Sequence, residues 1–187
     1  ARILRSNAEL VNLKTTFTII DTDDQLRLIK QILSAENIDE KRWPARSLLS
    51  IIQKWKDMGL NPMDVKNRHH SGTDFANNQA TKLYQYYQDR LITLNAVDFG
   101  DLLLHVITIF KTKPDIKKLY QNKFKYILVD EFQDTNASQY YWLKTLAENH
   151  KTLCAVGDDD QSIYSWRGCL LYTSDAADDS LRVDLGG

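Results

Sequence analysis

The sequence predicts an α/β chain that is helical for most of its length, and three observations predict it. Apolar residues recur at helical spacing through residues 21–120. Two short apolar runs follow, the largely β-branched Tyr126-Ile-Leu-Val129 and then Thr152-Leu-Cys-Ala-Val156, each with the texture of a strand buried on both faces. Between them, Asn136-Ala-Ser-Gln139 is a capping-box arrangement that opens a helix running to about Asn149. Strand, helix, strand in about thirty residues is one βαβ unit, which implies a parallel sheet. That unit is too small to be a complete domain, so a helical block precedes a piece of an α/β domain.

Asp21-Thr-Asp-Asp is an N-cap with an acidic first turn, and Leu26, Ile29, Ile32 and Leu33 then share a face. A second helix runs from about Ala45 through Leu48, Leu49, Ile52 and Trp55, with Gly59 as a left-handed stop and Pro62 beyond it. Residues 61–73 are polar and contain a glycine, and read as a loop. Ala76, Ala80, Leu83, Tyr84, Tyr87, Leu91 and Leu94 predict one long amphipathic helix. Asp98-Phe-Gly-Asp starts another, through Leu102, Leu103, Val106, Ile107 and Phe110, and Pro114 ends the stretch. There is no internal repeat and no low-complexity tract.

Composition narrows the function classes. The 187 residues are 43% apolar and 26% charged, the balance of a soluble globular chain. No apolar run approaches the roughly 20 residues needed to cross a bilayer, and no signal-peptide pattern opens the chain. Two cysteines, Cys154 and Cys169, are too few for a disulfide framework and fit a reducing, cytoplasmic setting. The net charge of −1 hides an asymmetry: residues 1–120 carry eighteen basic and fourteen acidic side chains, residues 121–187 six and eleven.

The acids of the second half gather where chemistry is expected. Asp130 and Glu131 directly follow the first strand, and Gly157-Asp158 directly follow the second. In open α/β sheets, ligands bind beyond the carboxyl ends of the strands. One carboxylate there can hold hydrated Mg²⁺, a hard cation that keeps its waters, and the next can orient and deprotonate an attacking water. An apolar run followed by Asp-Glu is by itself a weak signal, equally readable as a solvated turn.

The flanking residues decide between the two readings. Asp130-Glu-Phe-Gln-Asp-Thr-Asn136, followed after one helix by Val156-Gly-Asp-Asp-Asp-Gln-Ser-Ile-Tyr-Ser-Trp-Arg-Gly168, resembles motifs II and III of the UvrD/Rep/PcrA helicases of superfamily one. Asp21-Thr-Asp-Asp-Gln-Leu-Arg and Asp98-Phe-Gly-Asp-Leu-Leu resemble further landmarks of that family, so the resemblance covers about residues 1–168.

The resemblance implies a partial RecA-like P-loop motor domain. Residues 1–15 would end its first segment, 16–120 would be an inserted helical subdomain, and 121–168 the βαβ segment with both motifs. It implies an ATP-dependent DNA helicase that translocates on single strands, 3′ to 5′, in repair or replication, with ATP and Mg²⁺ as cofactors and single-stranded and duplex DNA as partners. Asp130 would bind Mg²⁺ through water and Glu131 would be the general base. Gln161 would reach the γ-phosphate, and Arg167 would connect the DNA-facing segment to the nucleotide site. Tyr164 and Trp166 would offer aromatic faces to bases, a contact worth about 1–3 kcal/mol per base. Gln133 and Asp134 match the family with an organisational role only.

Other features carry plainer readings. Asp158-Asp-Asp160 reads as a solvated acidic loop, His69-His70 as loop surface, and Cys154 as a structural residue of a strand core. Trp43, Trp55 and the tyrosines at 84, 86 and 87 read as helix packing. Lys54, Lys56, Lys66 and Arg68 read as a solvated face, with duplex DNA contact as the alternative. None of the seven glycines is followed by lysine, so the chain contains no Gly-Lys-Thr or Gly-Lys-Ser phosphate loop; the family places that loop upstream, and a second motor domain downstream. The chain is therefore expected to be an internal fragment without turnover of its own. Residues 169–187 depart from the family pattern and resemble translated adapter read-through. Two rival readings remain: a non-catalytic helical DNA- or protein-binding module, and the motor part of a helicase–nuclease subunit.

Overall fold

The computed structural model describes residues 1–67, 74–150 and 152–157. In chain order the elements are α1 (Arg2–Arg5), a 3₁₀ turn (Ala8–Val11), β1 (Thr18–Ile19), α2 (Thr22–Ala35), α3 (Ala45–Asp57), α4 (Pro62–Asn67), α5 (Ala80–Thr93), β2 (Ala96–Val97), α6 (Phe99–Thr112), α7 (Pro114–Lys123), β3 (Ile127–Val129), a second 3₁₀ turn (Phe132–Asp134), α8 (Ala137–Ala147) and β4 (Leu153–Ala155). The described chain is thus mostly helical with two small parallel sheets. Among the described residues, no helix is long and apolar enough to cross a membrane.

Local signals placed three helices where the sequence predicts them. The Asp21 carboxylate accepts from Asp24 N and starts α2. Asp98 and Asp101 form a reciprocal capping box at α6, and Asn136 and Gln139 form another at α8. Gly59, at φ +70°, adopts the left-handed conformation after α3.

Three expectations are corrected. Residues 62–67 are helix α4, not loop: Pro62 supplies a pre-set φ at the first turn, while Asn61 and Asp64 exchange side-chain and backbone hydrogen bonds. The helix expected from Ala76 begins at Ala80, because Ala76, Asn77 and Asn78 take positive φ. Pro114 opens a helix, α7, instead of only ending one. A parallel pair also went unpredicted, in which Thr18 aligns with Ala96 and Ile19 with Val97.

Two apolar cores result among the described residues. One gathers α2 to α5 around Ile29, Leu33, Ile52, Leu83, Tyr84 and Tyr87. Within it Trp55 stacks on Tyr84, and half-buried Trp43 packs against Phe75, as the packing reading predicts; Tyr86 lies at the surface under Lys82. The other core joins the N-terminal segment (Leu4, Leu13, Phe17) to α6, α7 and α8 through Ile109, Phe110, Tyr120 and Leu146.

Candidate active site at the end of the second parallel pair

β3 and β4 pair in parallel with Ile127 opposite Leu153, Leu128 opposite Cys154 and Val129 opposite Ala155, and α8 is the crossover between them. The βαβ unit forms as predicted, but its strands are not buried on both faces. Leu128 is 74% exposed and Cys154 is also exposed, so the structural-core reading of Cys154 fails. The alternate residues Ile127, Val129, Leu153 and Ala155 are half-buried, and Ile127 packs against the core of the helices.

The chain turns sharply after Val129. Asp130 Oδ1 accepts from the Glu131 backbone N–H at 3.0 Å. Glu131 sits in the left-handed region at φ 52°, ψ 44°, an uncommon conformation for a side-chain-bearing residue and one that concentrates at functional sites. A 3₁₀ turn over Phe132–Asp134 follows, with Asp134 N donating to Glu131 O and Thr135 N to Phe132 O, each at 3.0 Å. Phe132 N also donates to Val156 O at 3.0 Å, which ties the turn to the end of β4. Both carboxylates of the pair are exposed at this edge, whereas Gln133 between them and α8 is 1% exposed. Its Nε2 donates to Glu131 Oε2 at 2.5 Å.

This edge is tethered to the helical block. Asn136 Oδ1 accepts from Gln139 N, while its Nδ2 donates to Asp57 Oδ1 at 2.8 Å, at the end of α3. Ser138 lies against the Gly59 turn; a Cβ at Gly59 would be 3.6 Å from Ser138 Cβ. The structure therefore brings Asp130, Glu131 and Gln133 together, with Asn136 tying the start of α8 to the end of α3. Gln161, Tyr164, Trp166, Arg167 and the Asp158-Asp-Asp160 run lie outside the described residues, as do Arg68, His69-His70 and residues 169–187.

A second polar cluster is buried and closed, and has a different character. Lys56 is not on a solvated face: its side chain is 1% exposed and its Nζ lies 2.6 Å from both Asp98 Oδ2 and Asp101 Oδ1. Tyr87 donates its hydroxyl to Asp98 and Gln88 its amide to Asp101. Lys54 and Lys66 are exposed, as predicted. Burial and the neighbouring Asp101 charge raise the Asp98 carboxyl above the ordinary range, against the pull of Lys56. Burial works against ionised Asp101 too, but Lys56, His105 and the Gln88 amide together hold it below the ordinary value. Burial lowers His105 below the ordinary imidazole value, against the pull of the Asp101 carboxylate. The Asp98-Phe-Gly-Asp landmark is thus a structural lock: two buried carboxylates, a glycine that lets the lysine pass, and Phe99 left 68% exposed. A lysine followed by a gap of some forty residues gives no local sign of such a partner, so the sequence reading missed it.

The model of the UvrD/REP helicase N-terminal domain matches residues 1–180. The chain belongs to the UvrD/REP helicase family. It is 47% identical over 171 residues to the probable DNA helicase II homolog of Rickettsia felis, covering 90% of this chain and 26% of that protein. It is 46% identical over 170 residues to DNA helicase II of Haemophilus influenzae, covering 91% of this chain and 23% of the relative. The ATP-dependent DNA helicase PcrA of Staphylococcus epidermidis is 44% identical over 167 residues, or 89% of this chain and 22% of its own length. The chain spans about a quarter of the length of the curated relatives it matches.

Proposed function

We infer that this chain is part of the motor of an ATP-dependent DNA helicase, with its nucleotide edge at Asp130–Glu131. The observation that carries the reading is the pair of exposed carboxylates at the carboxyl end of β3, one of them in a left-handed turn, beside the end of the parallel strand β4. Such a strand end is the position from which an α/β sheet serves a ligand. Residues 16–120 would be the helical insertion and 121–168 the motor segment, in a cytoplasmic protein.

The residues present at this edge fit Mg²⁺. Asp130 offers a hard carboxylate oxygen at an exposed edge, and Mg²⁺ is ordinarily held by one or two carboxylates together with waters and phosphate. When bound, Mg²⁺ would neutralise charge on the β- and γ-phosphate oxygens. Glu131 would orient the attacking water and take its proton, a contribution typically of about 10²–10⁴-fold. Gln161 would contact the γ-phosphate, Tyr164 and Trp166 would stack on single-strand bases, and Arg167 would link those contacts to the acidic edge. Because Gln161 and Trp166 are five residues apart, one short segment would report nucleotide state to DNA.

The test is Glu131→Gln in the full-length protein, since shape is kept and basicity is lost. Binding of a fluorescent ATP analogue should be retained while DNA-stimulated hydrolysis falls by about a hundred-fold or more. Turnover surviving within a few-fold would remove Glu131 from the role of base. Trp166→Ala should weaken coupling to single strands more than basal hydrolysis; equal loss of both would indicate packing.

A further inference from the structure

We propose that Gln133 is the positioning residue for Glu131, and that Gly157 at the end of β4 holds Gln133 in place; this rests on Glu131 being the base. Glu131 is exposed, and a carboxylate on a long, solvated side chain samples many rotamers. The Gln133 amide removes that freedom, because its Nε2 donates to Glu131 Oε2 at 2.5 Å. One carboxylate oxygen is thereby anchored, which restricts where the other can point. A neutral amide suits this task. Hydrogen bonds to a carboxylate are strong, and an amide cannot take the proton that the base must receive.

Gln133 is itself fixed from two sides. It lies in the 3₁₀ turn whose first residue, Phe132, bonds to Val156 O, and its side chain is 1% exposed. Beneath it, a Cβ added at Gly157 would stand 2.5 Å from Gln133 Oε1, 3.2 Å from Gln133 N and 3.3 Å from Phe132 N. Any other residue at 157 therefore pushes on the carboxamide and on the turn together. Through these contacts the end of β4 bears on the Glu131 carboxylate, and the chain continues from that point directly into the segment carrying Gln161.

The experiment uses the full-length protein and a double-mutant cycle. Gln133→Met keeps the length and an apolar body without the amide, and should lower kcat on the order of ten- to a hundred-fold, as misplacement of a reacting group does. Its affinity for a fluorescent ATP analogue and its melting temperature should stay near those of the parent. In a Glu131→Gln background the same change should alter the residual turnover by less than about two-fold, because its effect runs through the Glu131 carboxylate. Gly157→Ala should also lower kcat, and should add nothing to Gln133→Met. Gln133→Asn, whose amide falls short of Glu131, should behave like Gln133→Met. Unchanged kcat in all three single variants, or losses that multiply with Glu131→Gln, would overturn the proposal and leave Glu131 as base. Retained turnover in Glu131→Gln would overturn both.

Discussion

Replacing Lys56 by Met tests the least expected part of the structure. The methionine keeps the chain length and apolar body of the lysine but removes the cation that sits 2.6 Å from each of two buried carboxylates. All three side chains are at most 3% exposed, so water cannot screen what is left. Removing one partner of a buried ionic cluster typically destabilises by about 3–5 kcal/mol, which for a chain of this size lowers Tm by roughly 6–20 °C. The loss should depend on pH. Asp98 already sits above the ordinary carboxylate range through burial and the Asp101 charge, and without Lys56 it should rise further. A carboxyl raised in the folded state binds its proton before the unfolded chain does, so the folded variant gains as pH falls through that value. The deficit should therefore be larger at about pH 8 than at about pH 5, and adding Asp98→Asn should recover part of it. Urea unfolding followed by far-ultraviolet circular dichroism measures each quantity. A loss below about 1 kcal/mol, the range of an exposed pair, or one flat across pH, would refute the buried lock and return Lys56 to the surface.

Three further outcomes follow from the same contacts. Gly100→Ala places a Cβ 2.9 Å from Lys56 Cδ and 3.2 Å from its Cβ, and should destabilise by about 1–3 kcal/mol in the same unfolding assay; a neutral result would mean the lysine stem can move aside. Asn136→Ala removes the cap of α8 and the bond to Asp57, and should lower stability by about 1–2 kcal/mol; an unchanged midpoint would show that solvent replaces both. With Cys169 replaced by Ser, Cys154 of the folded chain should react with a thiol reagent nearly as fast as in denaturant, and strong protection would contradict the exposed face of β4.

The carboxylate edge and the helix cap beside it were legible because their signals are local. Asp130 and Glu131 follow an apolar run directly, and the Asn136–Gln139 box is complete within four residues. The same locality made the caps of α2 and α6 readable from Asp21 and Asp98. Pro114 misled because proline is compatible both with ending one helix and with opening the next, and only the chain direction after Lys113 separates the two. Cys154 misled because an apolar run of strand length does not say how many of its faces will be covered.

The sequence by itself determined the family, the helical periodicity of the first two-thirds, the βαβ unit and the carboxylate pair at its edge, since each is written in contacts of a few residues. Tertiary structure alone decided what those elements meet. It paired Thr18–Ile19 with Ala96–Val97, buried Lys56 against Asp98 and Asp101, joined Asp57 to Asn136, and set Gln133 between Glu131 and Gly157. The first three link residues dozens of positions apart, and the last depends on a strand returning from across a helix. Their partners are chosen by chain closure and packing density, which no local pattern of residue types records.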